Sequence, residues 1–163
     1  MKRINLILVL SFISVLTWGQ EVNIKYENLK CGFYNDRTQR WVVQPKYVQG
    51  YYLGSYAGVH YYRVCTTDKL WGVICSKNFS QYVLSPDYQE VYVGNGGDFS
   101  SIPLVIVKQK GDYGLIGLSS TGSYKMYPIS YKGVYINYYG VALQTWENKT
   151  INVDIKDVKK RYA

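Results

Sequence analysis

Three stretches of this sequence share one frame, and that self-similarity constrains the fold more than any local propensity does. They read KCGFYNDRTQRWVVQPKYVQGYYLG, LWGVICSKNFSQYVLSPDYQEVYVG and DYGLIGLSSTGSYKMYPISYKGVYIN. Each opens on a bulky or buried-type residue followed by glycine: Cys31-Gly32, Trp71-Gly72 and Tyr113-Gly114. Two apolar or aromatic residues come next, then a polar turn (NDRTQR, SKNFSQ, SSTGS) and a second strand-like run (WVV, YVL, YKM). A proline closes each run, at Pro45, Pro86 and Pro128, and a tyrosine follows it, at Tyr47, Tyr88 and Tyr131. The third copy carries one extra residue between its proline and its tyrosine.

The frame also extends backwards. IKYENLKCG, VCTTDKLWG and IVKQKGDYG each set an aliphatic residue ahead of the glycine with polar turn residues between, so a hairpin leads into every glycine. A fourth run, ALQTWENKTINVD at 142–154, has Ile151-Asn152 where the aromatic–glycine pair belongs. It reads as a degenerate closing strand pair, because terminal repeats commonly depart from the consensus. Valine, isoleucine and tyrosine favour strands, and no stretch after residue 20 has helical periodicity. Proline cannot donate to a sheet ladder and so marks strand ends or edges. Glycine beside a turn leaves bare backbone for a neighbouring ring to pack on. One unit alone buries too little, so neighbours must stack. The expectation is an all-β chain of about three antiparallel hairpin units plus a closing pair. These form a curved solenoid-like or propeller-like array with no long helix.

This pattern resembles the WG-repeat family, named for its tryptophan–glycine step, over roughly Ile24 to Asp154. Cys31 and Tyr113 stand where that family has tryptophan, and the pair Trp18-Gly19 is out of frame. The resemblance implies a binding or scaffold protein without catalytic chemistry, with a protein or an envelope polysaccharide as partner.

The chain opens MKRINLILVLSFISVLTWGQ: basic residues, an apolar run from Ile4 to Leu16, then small residues before Gln20. That is the layout of a cleaved secretory signal over 1–19. The run is shorter than the ~20 apolar residues that span a bilayer. The reading is therefore a single exported repeat domain over 20–163, periplasmic or extracellular, with no membrane span after cleavage. The formal charge of +8 is concentrated in part in a tail, 156–163, that reads as a solvated end. Nucleic acid is not an expected partner, since no nucleic-acid fold motif accompanies the charge.

Chemistry is sparse. His60 is the one histidine, and a Cys–His hydrolase built from it with Cys65 or Cys75 lacks any accompanying signature. One histidine and three scattered cysteines do not supply a zinc site, and no metal or cofactor is expected. Asp87, Glu90, Asp98 and Asp112 form no evident acid pair, and GNGGDFSS at 94–101 lacks the lysine and spacing of a phosphate loop. Cys31, Cys65 and Cys75 are an odd number, and Cys65–Cys75 is the one disulfide a hairpin would allow. Tyrosine is the excess, at nineteen residues, and the doublets Tyr51-Tyr52, Tyr61-Tyr62 and Tyr138-Tyr139 carry the most information. Neighbouring strand residues point to opposite faces, so in a sheet solvated on one side a doublet exposes one ring, to a protein or a sugar; the alternative is that adjacent units or loops cover both rings.

Overall fold

The computed structural model describes residues 22–94 and 102–162, whose strands form four small antiparallel sheets. Sheet I holds β1 (Val22–Glu27), β2 (Lys30–Asn35) and β3 (Arg40–Tyr47). Sheet II holds β4 (Gln49–Tyr56), β5 (Val59–Cys65), β6 (Trp71–Cys75) and β7 (Asn78–Tyr88). Sheet III holds β8 (Glu90–Tyr92), β9 (Leu104–Gln109), β10 (Asp112–Leu118) and β11 (Ser123–Tyr131). Sheet IV holds β12 (Gly133–Asn137), β13 (Gly140–Gln144) and β14 (Thr150–Asp154), and a short helix α1 (Ile155–Tyr162) follows it. Each sheet is a meander of neighbouring strands, and the described residues close no barrel, solenoid or propeller. The segment read as a signal, Asp98 and most of GNGGDFSS lie outside the described residues. No described helix is long and apolar enough to cross a membrane.

The repeated frame corresponds to one register. Cys31 faces Tyr47, Trp71 faces Tyr88 and Tyr113 faces Tyr131, so the first and last residues of each sequence unit are cross-strand partners. Two residues further along, Phe33 faces Val43, Val73 faces Leu84 and Leu115 faces Tyr127. The proline-bearing strand therefore advances four residues while its partner advances two, which makes a bulge opposite every frame glycine. A Cβ on Gly72 would stand 2.7 Å from the Leu84 carbonyl oxygen and 3.0 Å from the Pro86 backbone. A Cβ on Gly32 would meet the Val43 carbonyl oxygen, and one on Gly114 would lie 3.0 Å from Ile129 Cα. These glycines clear a bulged backbone rather than seat a ring. The prolines lie on the edge strands β3, β7 and β11, where a missing N–H costs no ladder bond.

The third unit contains no inserted residue at this point. Tyr127 and Tyr131 keep the same four-residue bulge, and Ile129 holds the place of Pro45 and Pro86. The proline has slid by one position while the tyrosine has kept the frame. The closing pair is a hairpin of β13 and β14, as expected, but its frame lies one residue earlier than the sequence implied. Its turn repeats that of the second unit: Thr66 and Thr145 donate to the carbonyls of Leu70 and Lys149, with Lys69 and Asn148 in the left-handed region. Leu143 faces Ile151 as Val64 faces Gly72. Thr150-Ile151 is therefore the counterpart of Trp71-Gly72.

A core lies between each pair of successive sheets. Phe33 and Tyr47 meet Tyr62, Val64 and Ile74 in the first; Tyr61, Val73 and Cys75 meet Val105, Val107 and Ile116 in the second. Leu104, Ile106 and Leu115 meet Val134, Val141 and Leu143 in the third. Sheets II and III are thus covered on both faces. That corrects the expectation for Tyr61-Tyr62: both rings are 1% exposed, one in each flanking core, and neither offers a ligand surface. Burying side chains of this size contributes about 1.5–3 kcal/mol each.

The Cys65–Cys75 disulfide weighed from the sequence is also absent. All three cysteines are free and buried. The five-residue turn sets Cys65 opposite Trp71 and Cys75 opposite Tyr61, four positions apart along the ladder and beyond the reach of a bridge. The basic tail is not a loose end either. Asp154 caps α1 by accepting from the Lys156 N–H at 2.8 Å, Asp157 sits in the first turn, and Lys159, Lys160 and Arg161 sit in the last. Val158 is fully buried in the third core and docks the helix.

Candidate functional site

The chemistry weighed from the sequence does not assemble. His60 Nδ1 lies 3.2 Å from the Tyr52 hydroxyl, and the residue's backbone N–H donates to Ser76 Oγ. The Cys75 thiol donates instead to the Ser120 carbonyl and the Cys65 thiol to the Thr66 carbonyl. His60 shares a face of β5 with Tyr62, whereas Cys75 lies in the core that receives Tyr61, on the other side of sheet II. The Cys–His alternative thus lacks the contact it needs. Burial pushes the thiols of Cys31 and Cys65 up, away from the reactive thiolate. Glu90 accepts from Lys108 at 2.9 Å, which raises the lysine, and Asp112 accepts from Trp146 Nε1 at 3.0 Å. Among the described residues no three histidine, cysteine or carboxylate side chains gather for a metal ion.

The aromatic residues are placed to more purpose. Equivalent bonds, Val48 N–H to Cys65, Gln89 N–H to Lys108 and Lys132 N–H to Gln144, set the lead strands β4, β8 and β12 in one frame. In that frame Tyr51, Tyr92 and Tyr135 are counterparts, and Tyr51 and Tyr135 are exposed. Tyr51 and Trp71 lie 5.9 Å apart, tilted by 33°. The Arg63 guanidinium sits 4.7 Å from the first ring and 4.9 Å from the second while donating to the Val91 carbonyl at 2.6 Å. Tyr52 lies on the other face of β4, beside His60 and Tyr62. Tyr138 and Tyr139 project from the β12–β13 turn, edge to face at 89° and about four-fifths exposed. Two of the three doublets are therefore accessible, on separate parts of the surface, and no doublet forms a flat pair. The frame residues Cys31, Tyr47, Tyr88, Tyr113 and Tyr131 are structural: Cys31 and Tyr47 are buried in the first core, and the others pack against the second or third.

Motif reading missed one feature. A shallow open groove of about 570 Å³ runs between α1 and sheet IV. Leu143, Ile151 and Val153 form its floor, Tyr127 and Tyr131 of β11 one wall, and Asp157, Lys160 and Arg161 of α1 the other. Arg161 lies 4.9 Å over the Tyr127 ring, and the Tyr127 hydroxyl is buried without a hydrogen-bond partner. Its sequence signal is Ile151 at a glycine position with no proline strand after it. No protein-family model matches the chain, and no curated protein is significantly similar to it.

Proposed function

We propose that the chain is an exported binding or scaffold module of WG-repeat type that holds a protein partner in the cell envelope or outside the cell. The observation that carries this reading is the division of the aromatic side chains. The frame tyrosines are spent on the cores, while Tyr51, Tyr52, Tyr135, Tyr138 and Tyr139 stand exposed on rigid strands and a tight turn. Exposed tyrosine and tryptophan on a fixed scaffold provide contact area at low entropic cost, which is why they concentrate at protein interfaces. The shared register of the three units supports the reading of a short tandem repeat array, and the leader at 1–19 supports export. A glycan ligand is the second reading, favoured by the Tyr51–Trp71 pair around Arg63, whose rings lie 5.9 Å apart and tilted by 33°.

The test uses the chain from Gln20 onward as bait on envelope extract, beside a variant with Tyr51, Tyr52, Tyr138 and Tyr139 all changed to serine. A defined protein retained by the first and released by the second supports the module. Retention that is equal in both, or none above bare resin, refutes it. Binding to a glycan array that is lost in Trp71→Ala shifts the assignment to sugar.

A further inference from the structure

Sheets II and III each run lead strand, hairpin pair, proline strand; sheet IV stops after its hairpin. β2, β6 and β10 each lie between two strands, whereas among the described residues β14 pairs with β13 alone and its outer ladder meets no strand. Thr145 bonds Lys149 at one end of the hairpin and Ile155 bonds Tyr139 at the other. Antiparallel alternation then gives the Ile151 and Val153 backbone groups to β13 and turns those of Thr150 and Asn152 outward. Both residues are exposed. In sheet II the strand at the equivalent position fills the space beneath it: Phe79 of β7 lies 4.9 Å from Phe33 and Tyr82 lies 6.4 Å from Tyr47. In the last unit Tyr131 is the counterpart of Tyr47, and it opens onto the groove instead.

We propose that the free edge of β14 takes an extended, acidic segment of a partner protein, which adds as the fourth strand of sheet IV. This rests on the reading of the chain as a protein-binding module. Main-chain bonds to Thr150 and Asn152 supply the pairing, and alternate apolar or aromatic side chains drop onto Ile151 and Tyr131. The sign of the occupant follows from the wall of the groove, where α1 sets Lys160 and Arg161 against Asp157, and from the further lysines Lys156 and Lys159 on the same helix. That excess also disfavours a second copy, since pairing β14 with β14 would set two basic helices side by side. The occupant is a regular strand, not a bulged proline strand. At Gly72 a Cβ would press on the bulge at 2.7 Å, and Ile151 puts a Cβ in the same place.

The test is fluorescence anisotropy of the purified protein with a short capped peptide that alternates tyrosine or valine with glutamate. The same peptide with lysine for glutamate, and one N-methylated at the edge-facing amides, serve as comparisons. The acidic peptide binds, and both comparison peptides bind roughly tenfold more weakly or worse. The double variant Lys160→Glu, Arg161→Glu loses a similar factor, and Asn152→Pro, which removes an outward N–H, loses binding with its circular dichroism spectrum retained. No binding of the acidic peptide, equal binding of the N-methylated one, or no effect of the charge reversal overturns the proposal. So does a dimer in sedimentation that Asn152→Pro dissociates. If the peptide fails while the tyrosine-dependent partner is still captured, the edge assignment falls alone; if capture fails as well, the binding module falls with it.

Discussion

Changing Gly72 to alanine tests whether the frame glycine is an architectural requirement. The added Cβ would stand 2.7 Å from the Leu84 carbonyl oxygen and 3.0 Å from both Pro86 N and Cα. These are backbone atoms, fixed between the Trp71–Tyr88 and Val73–Leu84 pairs, so no rotamer change relieves the contact. Restoring ordinary contact at 3.4 Å moves β7 by about 0.7 Å, through a strand whose Val83 and Leu84 lie in the second core. Overpacking of this kind costs about 1–3 kcal/mol. Replacing glycine also restricts the unfolded chain, which offsets roughly 0.4–1 kcal/mol. The net loss is about 1–2 kcal/mol, and at about 4 °C per kcal/mol for a chain of this size Tm falls by about 4–8 °C. Gly122→Ala is the control, because nothing lies within 4 Å of its Cβ and its φ is not positive. Urea unfolding followed by circular dichroism reads both, with the midpoint of Gly72→Ala lowered at unchanged slope. Gly32→Ala and Gly114→Ala move the same way. If Gly72→Ala unfolds with the parent protein, or Gly122→Ala falls as far, the bulge does not explain the glycine.

Leu29 has φ 62° in the β1–β2 turn and is 94% exposed, so Leu29→Gly relieves a left-handed strain of about 1–2 kcal/mol against about 0.4–1 kcal/mol for the freer unfolded chain, and raises Tm by about 2–4 °C. Tyr61→Ala costs about 3–5 kcal/mol, while Tyr138→Ala, at a site 80% exposed, stays within about 0.5 kcal/mol; chemical denaturation separates the two. Lys25, 2.6 Å from Asp36, together with Asn23, holds the Asp36 carboxyl below its usual range, and an NMR titration of Lys25→Met shows that carboxyl moving back up. The pair's contribution is full above the unfolded carboxylate value of about 3.9 and is lost as pH falls through the depressed native value. Native protein resists alkylation at its thiols, and unfolding without reductant releases three; release of one would show that a disulfide had formed.

The parts of the fold that were legible are those where a single residue type answers a single backbone demand. Glycine opposite a bulge, proline on an edge strand and tyrosine at the far end of the pairing each mark a fixed point, so the units and their hairpins could be placed from sequence. Where several residues share a demand, the reading slipped. Pro128 marks the third frame in the sequence, yet Ile129 fills the site and only the tyrosine keeps register. Tyr61-Tyr62 was judged by alternation within one sheet, which carries no information about a second layer. The nearly continuous apolar run of β5, from Val59 to Cys65, was the available sign that both faces are covered. Helix α1 turns Val158 fully inward, and its eight residues are too short a stretch for a period to emerge.

The edge of β14 was hidden for a different reason, since it depends on a strand that does not follow. Its one positive sign is Ile151, and that residue and the missing strand explain each other. A branched side chain at the glycine position is compatible with the sheet only if no bulged strand lies alongside, as the contacts at Gly72 require. Conversely, without that strand a glycine there would uncover Leu143 and leave Tyr131 more open, and isoleucine supplies part of what Phe79 and Tyr82 supply in the second unit. The departure of the last unit from the repeat therefore goes with the helix, rather than a proline strand, that follows its hairpin. The same substitution that closes the slot to a proline strand leaves an apolar seat for an unbulged one, beside a helix whose last turn is basic.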